Sequence, residues 1–302
     1  MQEPSPAQAD TRTPQHLRVG LVGKGIQGSR TPRMHIAEGA AQGLNLHYDL
    51  FDTDQMPPDT PLTRIVDQAE TDGYAGLNIT FPYKQEVLAL TDRLSDAARR
   101  VGAVNTLVFR DGKRLGHNTD FSGFAEGLRR GLPDVTPRRV LLVGAGGAGG
   151  ALAHALHDMG ATDLMITDRR IEAAVALAEA VNAAANTPVA HTVARAVPHT
   201  KNHIAPAIEQ AEGIVNATPM GMAKLPGTPI DTTLLTDRHW VGDIVYFPRE
   251  TEFLRAARAR GCRTVDGSGM AVFQAVRAFH LFTGLTADDR RMRATFESFE
   301  TA

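Results

Sequence analysis

Lys84 stands where a lysine could exchange a proton with a bound molecule. It closes the run Asn78-Ile79-Thr80-Phe81-Pro82-Tyr83-Lys84, in which a short apolar stretch ends in two polar side chains and a proline follows. Asn78 and Thr80 are two residues apart, so on a strand their side chains share a face. Pro82 suits the first position of a helix, which predicts Lys84 in the first turn. A cation there opposes the helix dipole by roughly 0.3–1 kcal/mol, and the same field helps the ammonium give up its proton. The plain alternative is a surface lysine that begins a helix. Composition argues against it: the chain has 27 arginines and five lysines, and arginine cannot cycle a proton.

Three further segments bring polar groups to the ends of elements. Gly116-His117-Asn118-Thr119-Asp120 leads into a helix expected from Phe121, with Asp120 a candidate N-cap. Asn105, in Gly102-Ala103-Val104-Asn105-Thr106, reads as an amide at a strand end. Ser29-Arg30-Thr31-Pro32 looks like a helix start whose hydroxyls could cap the helix or hold an anion at its N-terminus.

These groups need a frame. Apolar runs at 17–22, 46–51 and 76–80 alternate with helical patterns at 32–42 and 61–71. That is βαβαβ order, which predicts a mostly parallel sheet covered on both faces. A strand at 103–109 and a helix at 121–130 follow, and 133–137 resembles a linker.

A second unit opens with the glycine-rich turn Gly144-Ala145-Gly146-Gly147-Ala148-Gly149, set between the apolar run 140–143 and a helical run at 151–159. In that context the pattern predicts a dinucleotide site. Gly144 allows the turn, Gly146 lets backbone approach a pyrophosphate, and Gly149 lets helix and strand pack closely. The run 163–167 ends at Asp168, placed to accept from a ribose hydroxyl or to cap a helix from Ile171. Later strands are expected at 213–217, 241–245 and 263–265, and helices at 171–182 and 251–260. Helical patterns at 270–283 and 288–299 are expected to return to the first unit. Within the irregular stretch 187–206, His191, His199 and His203 lack metal-ligand spacing and read as solvated loop residues.

The bulk numbers set limits. A net charge of −2 and a pI near 6.6 supply no basic field for nucleic acid or an acidic membrane. Cys262 is the single cysteine, so the chain has no intramolecular disulfide, and cytoplasm is the expected compartment. Residues 1–16 lack a basic start and an apolar core, and are expected to be a disordered tail. No apolar run is long enough to span a bilayer.

Taken together with Asn216-Ala217-Thr218-Pro219-Met220-Gly221-Met222 and Asp266-Gly267-Ser268-Gly269-Met270 plus Gln274, these segments resemble the shikimate dehydrogenase family from about Val19 to Gly284. The resemblance implies an α/β enzyme of two domains that moves a hydride between a nicotinamide and a ring hydroxyl of shikimate or quinate. The substrate domain would take 17–120 and 268–302, and a Rossmann-type domain 121–267. Lys84 and Asp120 match the family's catalytic pair. Ser29 and Thr31 match hydroxyls that hold a carboxylate, Asn78, Thr80, Asn105 and Gln274 match ring-hydroxyl partners, and Tyr246 matches a tyrosine beside the substrate. Gly144, Gly146, Gly147, Gly149, Asp168, Arg169, Thr218, Met220 and Gly267 match the cofactor site.

The Ser-x-Thr form of 29–31 is more similar to the quinate/shikimate branch than to the biosynthetic shikimate enzymes. Thr167-Asp168-Arg169-Arg170 replaces the Asn-Arg-Thr of members that use NADP. An acid there favours NAD, while the arginines leave NADP open. Three readings compete with an NAD enzyme: an NADP-dependent biosynthetic shikimate dehydrogenase, a methylenetetrahydrofolate dehydrogenase/cyclohydrolase, and a nucleotide-sensing regulator without chemistry. The last should have lost Lys84 or Asp120, and both are present. A small-molecule substrate is the expected partner, with no metal, and monomer and homodimer both stay open.

Overall fold

The computed structural model describes residues 16–184 and 192–300. The chain first lays down β1 (His16–Gly23), α1 (Thr31–Ala41), β2 (Asn45–Asp52), α2 (Leu62–Thr71) and β3 (Gly76–Ile79). These give the expected parallel core, with β1 between β2 and β3. The sheet then extends through β4 (Arg93–Leu94), α3 (Asp96–Val101), β5 (Thr106–Arg110) and β6 (Lys113–His117), in the order β2-β1-β3-β5-β6-β4. β5 runs antiparallel to both β3 and β6. The β5–β6 hairpin and α3 were not anticipated; Asp111, in the hairpin turn, has φ 54°, and Asp-Gly at 111–112 is a hairpin signal in its own right.

After α4 (Thr119–Gly131) comes a second, wholly parallel sheet: β7 (Arg139–Val143), β8 (Asp163–Thr167), β9 (Val193–Ala196), β10 (Gly213–Asn216), β11 (Trp240–Asp243) and β12 (Arg263–Val265). Its helices are α5 (Gly147–Asp158), α6 (Ile171–Ala184), α7 (Lys201–Gln210) and α8 (Glu252–Ala259). The order β12-β11-β10-β7-β8-β9 reverses between β10 and β7. Ligands of open α/β sheets bind at such a switch point, beyond the carboxyl ends of the strands.

Both α9 (Ser268–Thr283) and α10 (Asp289–Glu297) return to the first sheet. Val272, Phe279 and Phe296 share a buried core with Val19, Met34, Leu46 and Val108. The helices α4 and α9 meet backbone to backbone. A Cβ on Gly123 would lie 2.9 Å from the Gln274 nitrogen, and one on Gly269 would lie 2.9 Å from the Gly127 Cα. On the other side of the cleft, Arg100 of α3 grips Asp158 of α5 through two hydrogen bonds of 3.0 and 2.7 Å. These contacts join the two sheets, and an ion pair between Arg249 and Glu297 at 3.9 Å adds to them.

Several expectations change here. Residues 81–85 form turns, followed only by a short 3₁₀ segment at Glu86–Leu90, so no α-helix starts at Pro82 and the dipole argument for Lys84 falls. Asn118, not Asp120, caps α4: its side chain accepts from Phe121 N. The strand expected at 103–109 begins later, at Thr106, which keeps Asn105 at its end as expected. The tail expected at 1–16 lies outside the described residues except for His16, which begins β1, and His191 is also outside them. His203 lies in the first turn of α7. Among the described residues no group of acids, histidines or cysteines could hold a metal, and no helix is long and apolar enough to cross a membrane.

Candidate active site

The carboxyl ends of the two sheets face one cleft, and Lys84 and Asp120 meet in it. The ammonium donates to Asp120 Oδ2 at 2.6 Å, with side-chain exposures of 19% and 7%. Asp120 is the second residue of α4, where a helix terminus favours an anion. Lys84 is fixed through its backbone, whose carbonyl accepts from Val104 N at 2.7 Å. The lysine side chain lies against the glycine loop: a Cβ on Gly147 would come 3.8 Å from Lys84 Cβ and Cδ. The pair thus sits on the boundary between the sheets.

Polar groups expected to touch a substrate line the first sheet's side. Asn78 and Asn105 are buried, at 4% exposure each. Asn78 accepts from the Tyr48 hydroxyl at 2.7 Å and donates to Thr106 Oγ1 at 3.2 Å. Asn105 donates to Thr119 Oγ1 at 2.9 Å and accepts from Thr119 N at 2.7 Å. Burial pushes the Tyr48 phenol well above its ordinary value. Thr80 packs over Gly23, where a Cβ would collide with its methyl at 2.3 Å. Ser29 and Thr31 flank the start of α1, and Thr31 N reaches Ser29 Oγ at 3.4 Å. The loop ahead of them is tied by Asp52, which accepts from Gly25 N and Ile26 N.

Tyr246 is half-buried with its ring 5.7 Å from Phe296. Burial raises its phenol above the ordinary value, with Arg30 opposing the shift and Asp120 adding to it. The Gln274 amide instead turns back to Ala271 O on its own helix, at 3.1 Å. Arg30 was not expected to be central, yet it is buried, donates to Phe296 O at 3.1 Å and lies under the Phe296 ring.

On the second sheet's side, Gly144 has φ +107°, a conformation open to glycine. A Cβ on Gly149 would fall 2.1 Å from the Gly144 carbonyl oxygen, whereas nothing lies within 4 Å of one on Gly146. No side chain caps α5 at Gly146, which leaves its first N–H groups without a side-chain acceptor, and the space over Gly146 is open. Asp168 accepts from Ala145 N and Arg170 N, both at 2.9 Å; it serves the glycine loop and is not a simple cap for α6. Arg169 is exposed beside it. His199, expected in solvent, is half-buried and meets Thr167 Oγ1 at 3.3 Å.

The loop after β10 is held by Asn216, which accepts from Thr218 and donates to Met220 O and Asp243. Burial raises Asp243 to about 6, opposed by its bonds from Val245 N, Thr251 and Asn216. Gly267 brings the start of α9 against the segment just after β11, since a Cβ there would lie 2.2 Å from Ile244 O. The contacts made by Tyr48, Thr106, Thr119 and Asp243 were not expected from the sequence, although Thr106 and Thr119 lie within its motifs. Only strand register brings Tyr48 to Asn78, because β1 lies between their strands.

The family description for a shikimate dehydrogenase substrate binding domain matches residues 21–107, and that for a shikimate / quinate 5-dehydrogenase matches residues 127–227. A quinate/shikimate dehydrogenase (NAD(+)) of Corynebacterium efficiens is 51% identical over 93% of this chain and 98% of its own. This chain belongs to the shikimate dehydrogenase family. Another relative, a shikimate dehydrogenase (NADP(+)) of Streptomyces avermitilis, is 47% identical over 91% of this chain and 93% of its own. The solved quinate dehydrogenase from Corynebacterium glutamicum in complex with NAD superposes with a TM-score of 0.87 at 48% identity, covering 94% of this chain and 99% of that one. The family, the α/β architecture and the NAD(P)-dependent oxidoreductase class expected from the motifs are borne out.

Proposed function

We propose that this chain is an NAD-dependent quinate/shikimate dehydrogenase that interconverts the ring alcohol of either acid with its 3-dehydro ketone. The observation that carries the reading is the Lys84–Asp120 pair, in half-buried contact at 2.6 Å and set against Gly147 at the mouth of the glycine loop. The open space over Gly146 and the uncapped start of α5 fit a pyrophosphate, and Asp168 fits an unphosphorylated ribose. Gly144, Gly147, Gly149, Thr218, Met220 and Gly267 complete the coenzyme side. We assign 17–120 with 268–302 to substrate and 121–267 to coenzyme.

Bound NAD supplies the hydride acceptor. Lys84, as the neutral amine, takes the hydroxyl proton as the alcohol is oxidised and, as ammonium, returns it in reduction. Asp120 holds the Lys84 nitrogen in line and accepts from the substrate hydroxyl. Ser29 and Thr31 grip the carboxylate, while Asn78, Thr80, Asn105 and Gln274 sort the ring hydroxyls beside Tyr246. Such polar contacts discriminate strongly, because a wrong ligand leaves them unpaired. Gln274 commits one N–H to Ala271 O and keeps its other N–H and its oxygen for the ring.

Arg169 and Arg170 are exposed next to Asp168 and favour the second reading, an NADP-dependent shikimate dehydrogenase. Initial rates with quinate and shikimate, each against NAD and NADP, decide between them. A tenfold preference for NADP would reject the first reading, and no turnover of either acid would reject both. A single buried thiol, Cys262, supports a cytoplasmic setting.

A further inference from the structure

Two side chains behind the substrate-facing amides, one buried and one half-buried, carry an inference that rests on the proposed substrate site. Thr106 is fully buried, and Tyr48 reaches it only through Asn78. An asparagine amide can be turned end for end, exchanging donor for acceptor, unless its neighbours forbid it. Here they do, in sequence. The backbone N–H of Thr119 can only donate, and it meets Asn105 at 2.7 Å, so that atom of Asn105 is the oxygen. Thr106 Oγ1 donates to the same oxygen at 3.1 Å, beside Thr119 Oγ1 at 3.2 Å, and its alternative acceptor, Thr119 Oγ1, is farther away at 3.5 Å. Thr106 Oγ1 can then only accept from Asn78, which fixes the Asn78 nitrogen on that side at 3.2 Å. The Asn78 oxygen is left facing Tyr48, whose phenol donates at 2.7 Å.

We propose that Tyr48 and Thr106 are positioning residues for the reaction: they lock the donor and acceptor ends of Asn78 and Asn105 toward the substrate's ring hydroxyls. One N–H of Asn105 is committed to Thr119 Oγ1, which directs the other, and one lone pair of the Asn78 oxygen, to the ligand. A ring bearing neighbouring hydroxyls matches that pattern, one accepting and one donating. A flipped Asn78 would offer it two donors. The same chain ends on Thr119, adjacent to Asp120, so substrate orientation and the catalytic acid share one anchor.

The test uses three nearly isosteric variants of the full chain, assayed with shikimate and NAD. Tyr48→Phe and Thr106→Val should each raise KM for shikimate about tenfold and leave KM for NAD unchanged, while Thr106→Ser, which keeps the hydroxyl, should stay within about twofold of wild type. Equal losses in Thr106→Ser and Thr106→Val would show that the methyl packs and the hydroxyl does not orient. Unchanged KM in Tyr48→Phe would overturn the proposal. Wild-type turnover in the same assay tests the parent reading separately. Thermal melts give a readout independent of substrate: the Tyr48→Phe/Thr106→Val double variant should lose less Tm than the two singles combined, because either one already frees Asn78. Strict additivity would sink the coupling even for a protein that turned over neither acid.

Discussion

Lys84 is held by charge on one side and by backbone on the other, so its substitutions separate proton transfer from electrostatics. Arginine keeps the ion pair with Asp120 but cannot cycle a proton. We expect Lys84→Arg and Lys84→Ala each to lose roughly 10²–10⁴-fold in kcat, the usual span for a positioned acid/base group. Asp120→Asn should fall similarly, and the Lys84→Ala/Asp120→Asn double variant should be little worse than either, because the pair acts as a unit. Near wild-type kcat in Lys84→Ala would mean that the proton leaves by another route. Asp168 makes a different prediction. Its carboxylate ties down Ala145 N and, in the proposed coenzyme site, would repel a 2′-phosphate, so Asp168→Asn should move the kcat/KM ratio toward NADP, with Arg169 beside it to meet the extra charge. An unmoved ratio would clear Asp168 of any part in selection.

Among the elements, the turn between β7 and α5 separates two reasons for glycine. Gly149 is required by packing, since a Cβ would lie 2.1 Å from the Gly144 carbonyl oxygen, while Gly146 faces open space. Gly149→Ala should therefore lower the urea midpoint by an amount corresponding to roughly 1–3 kcal/mol. Gly146→Ala should leave the midpoint unchanged and raise KM for NAD. Matching melts for the two variants would refute the distinction. This turn was legible in the sequence because strand, glycines, helix and terminal acid are contiguous, and one local pattern contains all of the physics. The Phe81–Lys84 segment was misread because a proline after a strand fits a helix start and a turn equally well. The cap of α4 was misplaced by two residues, from Asn118 to Asp120, since either side chain can cap. Lys84 and Asp120 were nonetheless named, through the resemblance and not through spacing: 36 positions separate them. Tyr48 and Thr106 were invisible for a related reason, as their roles arise from strand register and from the direction of a hydrogen bond.

For the whole molecule, pH is set to act through buried histidines. Burial lowers His35 to about 3 and His154 to about 4. Each therefore adds stability that is complete above the unfolded value near 6.5 and is lost as pH falls toward its folded value. Asp243 has the opposite sign: raised to about 6, it takes up a proton in the folded state first, which favours folding as pH drops through 6. Burial also lowers His117, His157 and His239, so the balance lies with the histidines and the urea midpoint should fall between pH 7.5 and 5. His35→Leu should flatten that fall, because neither ring nitrogen of His35 has a hydrogen-bond partner to lose. A midpoint that rises on acidification would contradict the assignment. The path of the chain has a consequence for synthesis. The first sheet leaves the ribosome early, yet one wall of its core is Val272, Phe279 and Phe296, which emerge only after the whole second sheet. A nascent chain halted before α9 should thus carry a protease-resistant 139–265 segment downstream of a labile 16–117 segment, a reversal of the usual order in which domains mature during translation.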